Sequence, residues 1–351
     1  MGINIDVELR PSVIIPARDA ERALGECLTA LSGAANGTAP HEVIVVDDGS
    51  KDATATVAQT LGARVIRLPG LGPAAARNAG ARAATGDVLV FFDADCVPQF
   101  GCVEALVAPL RDPGIVGVRG GYTSDQRALI ARFVQLELEE KQARLAASPQ
   151  IAVVDTACAA YRRSVFADCG GFDERFPATS AEDVELSFRL VASGRRLVYA
   201  PGAIVRHRHT EDLARYLQRK LRFGYFRARL YGRFPDRMRE DGYTPRLMPV
   251  QIALAGLVAG AALLSPWLPM GVALAGAAAL AFLGTSVPLT RRAYATDPSL
   301  APFVPPLLFA RSFAQGLGLA HGLAALGAQW ATSRYRGPRP SALPSTARSK
   351  R

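Results

Sequence analysis

Five consecutive apolar residues, Val88 to Phe92, run directly into Asp93-Ala94-Asp95. Side chains two apart on an extended chain share a face, so the spacing predicts that both carboxylates look into one site at a strand's end. Hard oxygen ligands in that number suit Mg²⁺ or Mn²⁺ held jointly with substrate phosphates, because Mg²⁺ usually takes only one or two protein carboxylates. A second acidic cluster, Asp47-Asp48-Gly49-Ser50, ends the apolar run Val43 to Val46 in the same manner. There a carboxylate can accept a ring N–H of a nucleobase or a ribose hydroxyl; the same residues can also turn the chain and cap the next helix.

Three further stretches carry reactive side chains. Gly70-Leu71-Gly72 precedes Pro73 and a segment containing Arg77 and Asn78. A glycine-flanked helix start can hold an anion on free backbone N–H groups, with Arg77 adding charge, although Pro73 in the turn argues against a dinucleotide fingerprint. Glu182-Asp183 opens an amphipathic run. Ser180 and Asp183 have the spacing of a capping box, while Asp183 also has the chemistry of a general base for a hydroxyl. An aspartate near the usual 3.9 is ionised at neutral pH but only weakly basic, so it must be positioned against the attacking oxygen. His207, in Arg206-His207-Arg208-His209, offers a nitrogen that would complete a metal site.

The elements that must position these groups follow from periodicity. Ser12 to Ile15, Glu42 to Val46, Ala63 to Leu68 and Asp87 to Phe92 read as strands, alternating with helical stretches Glu21 to Leu31, Ala53 to Leu61 and Ala74 to Ala84. That alternation predicts an α/β fold with a parallel sheet, whose ligands bind beyond the carboxyl ends of the strands. From residue 121 the pattern loosens into a helix near Gln126 to Ala147, a strand-like Val153 to Tyr161 and a helix from Ala181 to Ser193. This half is expected to supply the acceptor side of a cleft.

The chain of 351 residues carries a formal charge of +10. The excess sits at residues 206 to 246 and in a tail with Arg334, Arg336, Arg339, Arg348, Lys350 and Arg351. Both blocks flank apolar segments, an arrangement that fits anionic lipid better than nucleic acid, since stacking aromatics do not accompany the arginines. Glu211 to Leu230 reads as a basic amphipathic helix in the headgroup layer or packed on the catalytic domain. Leu247 to Leu264 and Trp267 to Leu289 read as a transmembrane hairpin returning at Arg291-Arg292. Phe303 to Trp330 is apolar but interrupted by Arg311, Gln315 and His321, and Arg311 must meet a phosphate or a carboxylate. The five cysteines show no metal spacing and read as buried thiols in a reducing compartment. The N-terminus lacks an apolar signal segment. The resulting expectation is a catalytic domain at 1–210, a basic interfacial region at 211–246, membrane-embedded helices at 247–330 and a basic disordered tail at 331–351. The protein would be membrane-bound, with its catalytic domain cytoplasmic.

VIIPARD, VVDDGSKDAT, GPAAARNAG, GDVLVFFDADC, CGGFDERF and AEDVELSFRL occur in that order. Together they resemble the family 2 glycosyltransferases, over residues 12 to about 210. The resemblance implies a GT-A nucleotide-diphospho-sugar transferase fold, mostly parallel sheet flanked by helices, followed here by an all-α membrane-associated region. It implies that Pro16, Ala17, Arg18, Asp47 and Asp48 line the nucleotide pocket, that Asp95 binds the metal with Asp93 assisting, and that His207 is a late metal ligand. Asp183 of the Glu182-Asp183 pair would be the base of an inverting single displacement. The implied donor is a nucleotide-diphosphate sugar and the implied product UDP, GDP or TDP. Thr156 to Ala160 departs from the family's Gly-x-Asn-x-Ala run, and no QxxRW segment follows the Glu-Asp pair, which argues against polymer synthesis. A lipid-linked hydroxyl is the expected acceptor; a polyprenyl-phosphate sugar synthase and a non-catalytic nucleotide-binding membrane module are the alternatives.

Overall fold

The computed structural model describes residues 8–32, 40–176, 181–237 and 244–331. Ser180 and the basic tail from Arg334 onward, on which two of the expectations fall, lie outside the described residues.

The apolar runs become strands β1 (Pro11–Ala17), β2 (Glu42–Asp47), β3 (Arg64–Arg67) and β4 (Val88–Phe92), each parallel to its neighbour. β1 and β4 are near-continuous in apolar residues because both faces of the sheet are covered. Alternate side chains serve two cores. Val13, Ile15, Val45, Val90 and Phe92 pack on one face with Leu24, Cys27 and Leu28 of α1 (Glu21–Leu31). Ile14, Ile44, Val46, Leu89 and Phe91 pack on the other with the alanines of α3 (Pro73–Ala83), while α2 (Thr54–Thr60) links β2 to β3. Helix α3 lies so close to the sheet that a Cβ on Gly80 would come within 2.4 Å of Ile14 Cγ2. A side chain there would push the helix off the strands.

Past β4 the sheet becomes mixed, in the half where the sequence alternation loosens. The chain turns at Asp93 to Asp95 into the short β5 (Cys96–Pro98), then passes through α4 (Cys102–Val107) to β6 (Ile115–Thr123). After α5 (Leu129–Ala146), β7 (Cys158–Arg162) enters antiparallel between β4 and β6. Following α6 (Arg163–Asp168) and α7 (Glu182–Ala192), β8 (Arg196–His207) pairs parallel to β6 and antiparallel to β5. The strand order is β3-β2-β1-β4-β7-β6-β8-β5.

Four long helices complete the described chain: α8 (Leu213–Arg233), α9 (Met248–Leu264), α10 (Gly271–Thr296) and α11 (Val304–Ala331). Asp212 caps α8 by accepting from the Arg215 N–H at 2.7 Å. Helix α8 lies along α11 with the backbones in contact. A Cβ on Gly318 would overlap the Leu221 carbonyl oxygen, and one on Gly224 the Gln315 carbonyl, so the glycines permit the crossing. Arg215, Arg219 and Arg222 remain exposed on the opposite side. The hairpin forms from α9 and α10, but α10 runs on through Arg291-Arg292 to Thr296 instead of ending at Leu289. Helix α10 is the one described helix long and apolar enough to cross a membrane, and Leu274, Leu280, Leu283 and Val287 are exposed on it.

The helical region shares a core with the sheet-bearing half across the boundary expected at 210. Ile130, Phe133, Val134 and Leu136 of α5 pack with Tyr216, Phe282, Leu300 and Leu308. Arg311 resolves its burial here. Its Nη1 pairs with Glu137 at 2.6 Å and its Nη2 donates to Gln251 Oε1 at 2.5 Å, so the partner is a carboxylate of α5 and not a lipid phosphate. Tyr216 and Lys220 donate to the same Glu137, at 2.8 and 3.0 Å. Against desolvation, which would raise it, Lys220 and Arg311 hold the Glu137 carboxyl down to about 2.

Candidate active site

The carboxyl ends of β1, β2 and β4 adjoin one another, and the acidic motifs lie there. Pro16 and Ala17 close β1, and Arg18 follows, exposed. The loop after Arg18 interlocks with the loop after β2. Lys51 N–H donates to Asp19 Oδ1 at 2.7 Å, Asp19 N–H to Ser50 Oγ at 2.9 Å, and Ala20 N–H to Thr54 Oγ1 at 2.8 Å. Asp19 has a positive φ of 48°, which the interlock holds in place.

Asp47 and Asp48 are both buried. Asp47 accepts from the Ser50 N–H at 3.0 Å, and Asp48 accepts from the N–H groups of Leu71 and Gly72, each at 2.7 Å. This narrows one expectation: the N–H groups of Leu71 and Gly72 are not free for an anion, because the Asp48 carboxylate already fills them. Gly72, at φ 96°, lets the chain turn over Asp48 into α3.

Arg77 and Asn78 also differ from their expected roles as ligand contacts. Arg77, 1% exposed, bridges two motifs: Nη2 reaches Asp93 Oδ1 at 2.6 Å and Nη1 reaches Glu182 Oε1 at 3.0 Å. Its fork geometry suits two carboxylates at once, so it joins the Asp93-Ala94-Asp95 turn to the start of α7. Asn78 donates to the Phe172 carbonyl and to Glu174 Oε1, each at 2.9 Å, and accepts from the Phe172 N–H at 2.9 Å. It therefore fixes the glycine turn before Phe172, with both of its donors taken.

Asp93 and Asp95 lie in a turn beyond β4, so they do not share a strand face as the spacing implied. Asp93 turns toward Arg77, whereas Asp95 Oδ2 lies 3.7 Å from His207 Nε2. Cys96 and His207 are direct partners across the β5–β8 pairing, which brings Asp95, Cys96 and His207 together with ligand atoms within 4.8 Å of one another. Two ligands on one ion at about 2.1 Å are separated by roughly 3–4 Å, so the Asp95 to His207 spacing fits a shared cation. The carboxylate and imidazole pair suits Mn²⁺ or Mg²⁺; Cys96 is wholly buried, and its thiol is pushed well up by desolvation and the nearby carboxylates. Asp95 itself is raised above the usual carboxylate range by desolvation and by Asp93, which a bound cation would reverse.

At the start of α7, Glu182 reaches back to the Ala181 N–H at 3.1 Å, and Asp183 Oδ1 accepts from the Val184 N–H at 2.7 Å. The Asp183 carboxyl is pushed up to about 7 by desolvation, then by the charges of Glu182 and Asp155. The weak base expected near 3.9 is thus a base matched to neutral pH.

Sequence reasoning passed over Asp155, Arg119, Tyr122, Gln135 and His209. Arg119, 0% exposed, pairs with Asp155 at 2.5 Å, and the Tyr122 hydroxyl donates to the same carboxylate. Asp155 immediately precedes Thr156 to Ala160, the stretch that departs from the family pattern, and that departure was the available signal. His209 is buried, and desolvation, then the charges of His207 and Arg219, push its imidazole down to about 3.

The family model of Glycosyl transferase family 2 matches residues 12–170, from β1 through β7 to the Cys169 turn. Residues 12–170 form a family 2 glycosyltransferase domain. The chain is 34% identical over 236 residues to the pre-mycofactocin glycosyltransferase of Mycobacterium tuberculosis, covering 64% of this chain and 48% of that protein. It is 28% identical over 202 residues to the O-antigen chain rhamnosyltransferase RfbN of Salmonella typhimurium, covering 54% of this chain and 64% of that one. The chain thus spans about half the length of the mycobacterial relative. Among solved structures, the mannosyltransferase PcManGT from Pyrobaculum calidifontis, in complex with GDP-Man and Mn2+, superposes with a TM-score of 0.55 at 19% identity. That likeness covers 89% of this chain and 87% of the other, so the shared fold extends beyond the family 2 domain. The GT-A architecture read from the motifs is the fold observed.

Proposed function

We propose that the protein transfers a sugar from a nucleotide-diphosphate sugar to a hydroxyl of a lipid-linked acceptor, by a single displacement that inverts the anomeric carbon. The observation that carries this reading is the Arg77 bridge, since one buried guanidinium joins the metal-type acidic turn to the Glu182-Asp183 pair. Asp183 accepts the acceptor's hydroxyl proton, the oxygen forms its bond to the anomeric carbon, and the bond from that carbon to the diphosphate oxygen breaks. Pro16, Ala17, Arg18, Asp47 and the Asp48-anchored loop line the nucleotide side, with Arg18 beside Gly70. Asp95 and His207 would hold a divalent cation, which neutralises the charge that builds on the leaving nucleoside diphosphate. GDP-Man and Mn2+ in the Pyrobaculum mannosyltransferase support the donor and metal class. The O-antigen relative and the apolar α10 support a membrane acceptor, with anionic lipid under the basic residues and the family 2 domain on the cytoplasmic side.

Full-length protein in detergent, screened with UDP, GDP and TDP sugars, is expected to release nucleotide only with Mg²⁺ or Mn²⁺ present. Asp183→Asn is expected to lose at least about 100-fold in turnover while binding donor normally; equal turnover in that variant removes the mechanism. The polyprenyl-phosphate reading has an already ionised acceptor that needs no base, and the Asp183 carboxyl near 7 favours the hydroxyl. Mild acid separates the two, because it releases sugar from a sugar phosphate and leaves an ordinary glycoside intact.

A further inference from the structure

We propose that His209 and Gln135 are positioning residues that hold His207 in the one tautomer able to ligate a cation; this rests on the metal reading above. The argument starts at Gln135. Its Nε2 donates to the Tyr122 carbonyl at 3.2 Å and to Glu139 Oε1 at 3.0 Å, and neither oxygen can donate in return. Those contacts fix which end of the amide is which, so the other end, Oε1, is the atom 2.9 Å from His209 Nε2. A carbonyl oxygen only accepts, hence the His209 Nε2 carries the hydrogen.

His209 is 5% exposed, and its ring meets an amide and another imidazole with no carboxylate against it among the described residues. A His207 that ligates through Nε2 carries its proton on Nδ1 and needs an acceptor there; a His209 ring whose proton is held on Nε2 by Gln135 Oε1 offers one. Its Nδ1 is then a bare lone pair. It faces His207 Nδ1 at 2.9 Å, so His207 must be the donor of that hydrogen bond. The proton of His207 is thereby placed on Nδ1, and the lone pair on Nε2, the nitrogen lying 3.7 Å from Asp95 Oδ2. Metal-binding imidazoles are commonly oriented in this way through their second nitrogen, usually by a carboxylate or a carbonyl. Here a second histidine serves, and a glutamine two bonds away sets its polarity.

The backbone of His209 is clamped to match. Its N–H donates to Gln126 Oε1 at 2.6 Å, and Gln126 Nε2 donates to the His209 carbonyl at 3.0 Å and to Glu211 Oε1 at 2.7 Å. The His209 ring therefore has little freedom to turn away from His207.

The relay makes a prediction about polarity that simple packing does not. Gln135→Lys replaces the acceptor of His209 Nε2 with a group that offers only donors. The lysine would force the hydrogen from His209 Nε2 to Nδ1 and from His207 Nδ1 to Nε2, blocking the ligating lone pair. Full-length protein in detergent would be titrated with Mn²⁺ alone, following the loss of free-ion electron paramagnetic resonance signal. Gln135→Lys and His209→Ala are expected to weaken Mn²⁺ binding by about 10- to 100-fold. Long-range ¹H–¹⁵N spectra of the metal-free protein supply the second readout: His207 should carry its proton on Nδ1 in wild type and on Nε2 in Gln135→Lys. Wild-type His207 protonated on Nε2, or wild-type Mn²⁺ affinity in Gln135→Lys, would overturn the proposal. Should the wild type show the Nδ1–H tautomer yet take up no Mn²⁺, the metal reading fails and the proposal with it. Should Gln135→Lys not fold, Gln135→Met, which neither donates nor accepts, must give a mixture of His207 tautomers and a smaller loss of affinity.

Discussion

As the proposed base, Asp183 must lose a proton before it can take one. With its carboxyl pushed up to about 7, it is half protonated at neutral pH in the free protein. The expected kcat/KM therefore climbs about tenfold per pH unit below that point and levels above it. Asp155 contributes a negative charge that raises the Asp183 carboxyl, so Asp155→Asn should move the midpoint to lower pH, as a pH–rate profile would record. A profile flat across neutral pH, or a midpoint indifferent to residue 155, would exclude Asp183 as the base. The same carboxyl favours the folded state at low pH, because between 3.8 and about 7 the native form binds the proton that the unfolded form has released; that contribution fades as pH rises through about 7. The sequence announces Asp183 through its neighbours Glu182 and Val184, but not its basicity. Basicity depends on Asp155, distant in the chain, and on how deeply the helix start is buried.

At the scale of elements, Arg77 is the pin between α3, the turn after β4 and α7. Its Glu182 partner is 2% exposed, so deleting the guanidinium removes a buried charge-assisted contact from that carboxylate and from Asp93 at once. Arg77→Met is expected to cost about 3–5 kcal/mol of stability in chemical denaturation, and a loss below 1 kcal/mol would mean that the bridge is dispensable. Sequence spacing made α1, β1, β2, β4 and α7 readable, because each repeats its own apolar period. It missed β5, β6 and the reversal at β7. Gly117, Gly120 and Gly121 interrupt β6, where close neighbours replace side chains: a Cβ on Gly120 would meet Cys158 Sγ at 2.3 Å. A strand recognised by what presses on it carries no periodic signature of its own. The same limit turned Arg77 from an expected phosphate contact into a bridge, since a lone arginine reads alike in either role.

Across the whole molecule, Glu137 gathers Tyr216, Lys220 and Arg311 from two helices of the C-terminal region onto α5. Its carboxyl, held down to about 2, stabilises the folded state fully above the usual 4.5, and that contribution is lost as pH falls toward 2. Glu137→Gln leaves Arg311 buried without its anion and is expected to lower the unfolding temperature in detergent at pH 7, with the gap to wild type closing on acidification. An unchanged melting point at pH 7 would contradict the clamp. Arg311 had been recognisable as a cation in need of an anion; that the anion sits in α5 depended on contacts 174 residues apart in sequence.

The mixed core under that clamp bears on how the protein can be handled. Tyr216 and Leu308 share one buried cluster with Phe133 and Leu136, so a fragment ending at residue 210 would be born with an oily flank. Such a fragment would self-associate before its chemistry could be assayed. Solubilising this protein thus calls for amphiphiles around the intact chain, or polar redesign of the α5 flank, and not for scissors at the end of the recognised motifs.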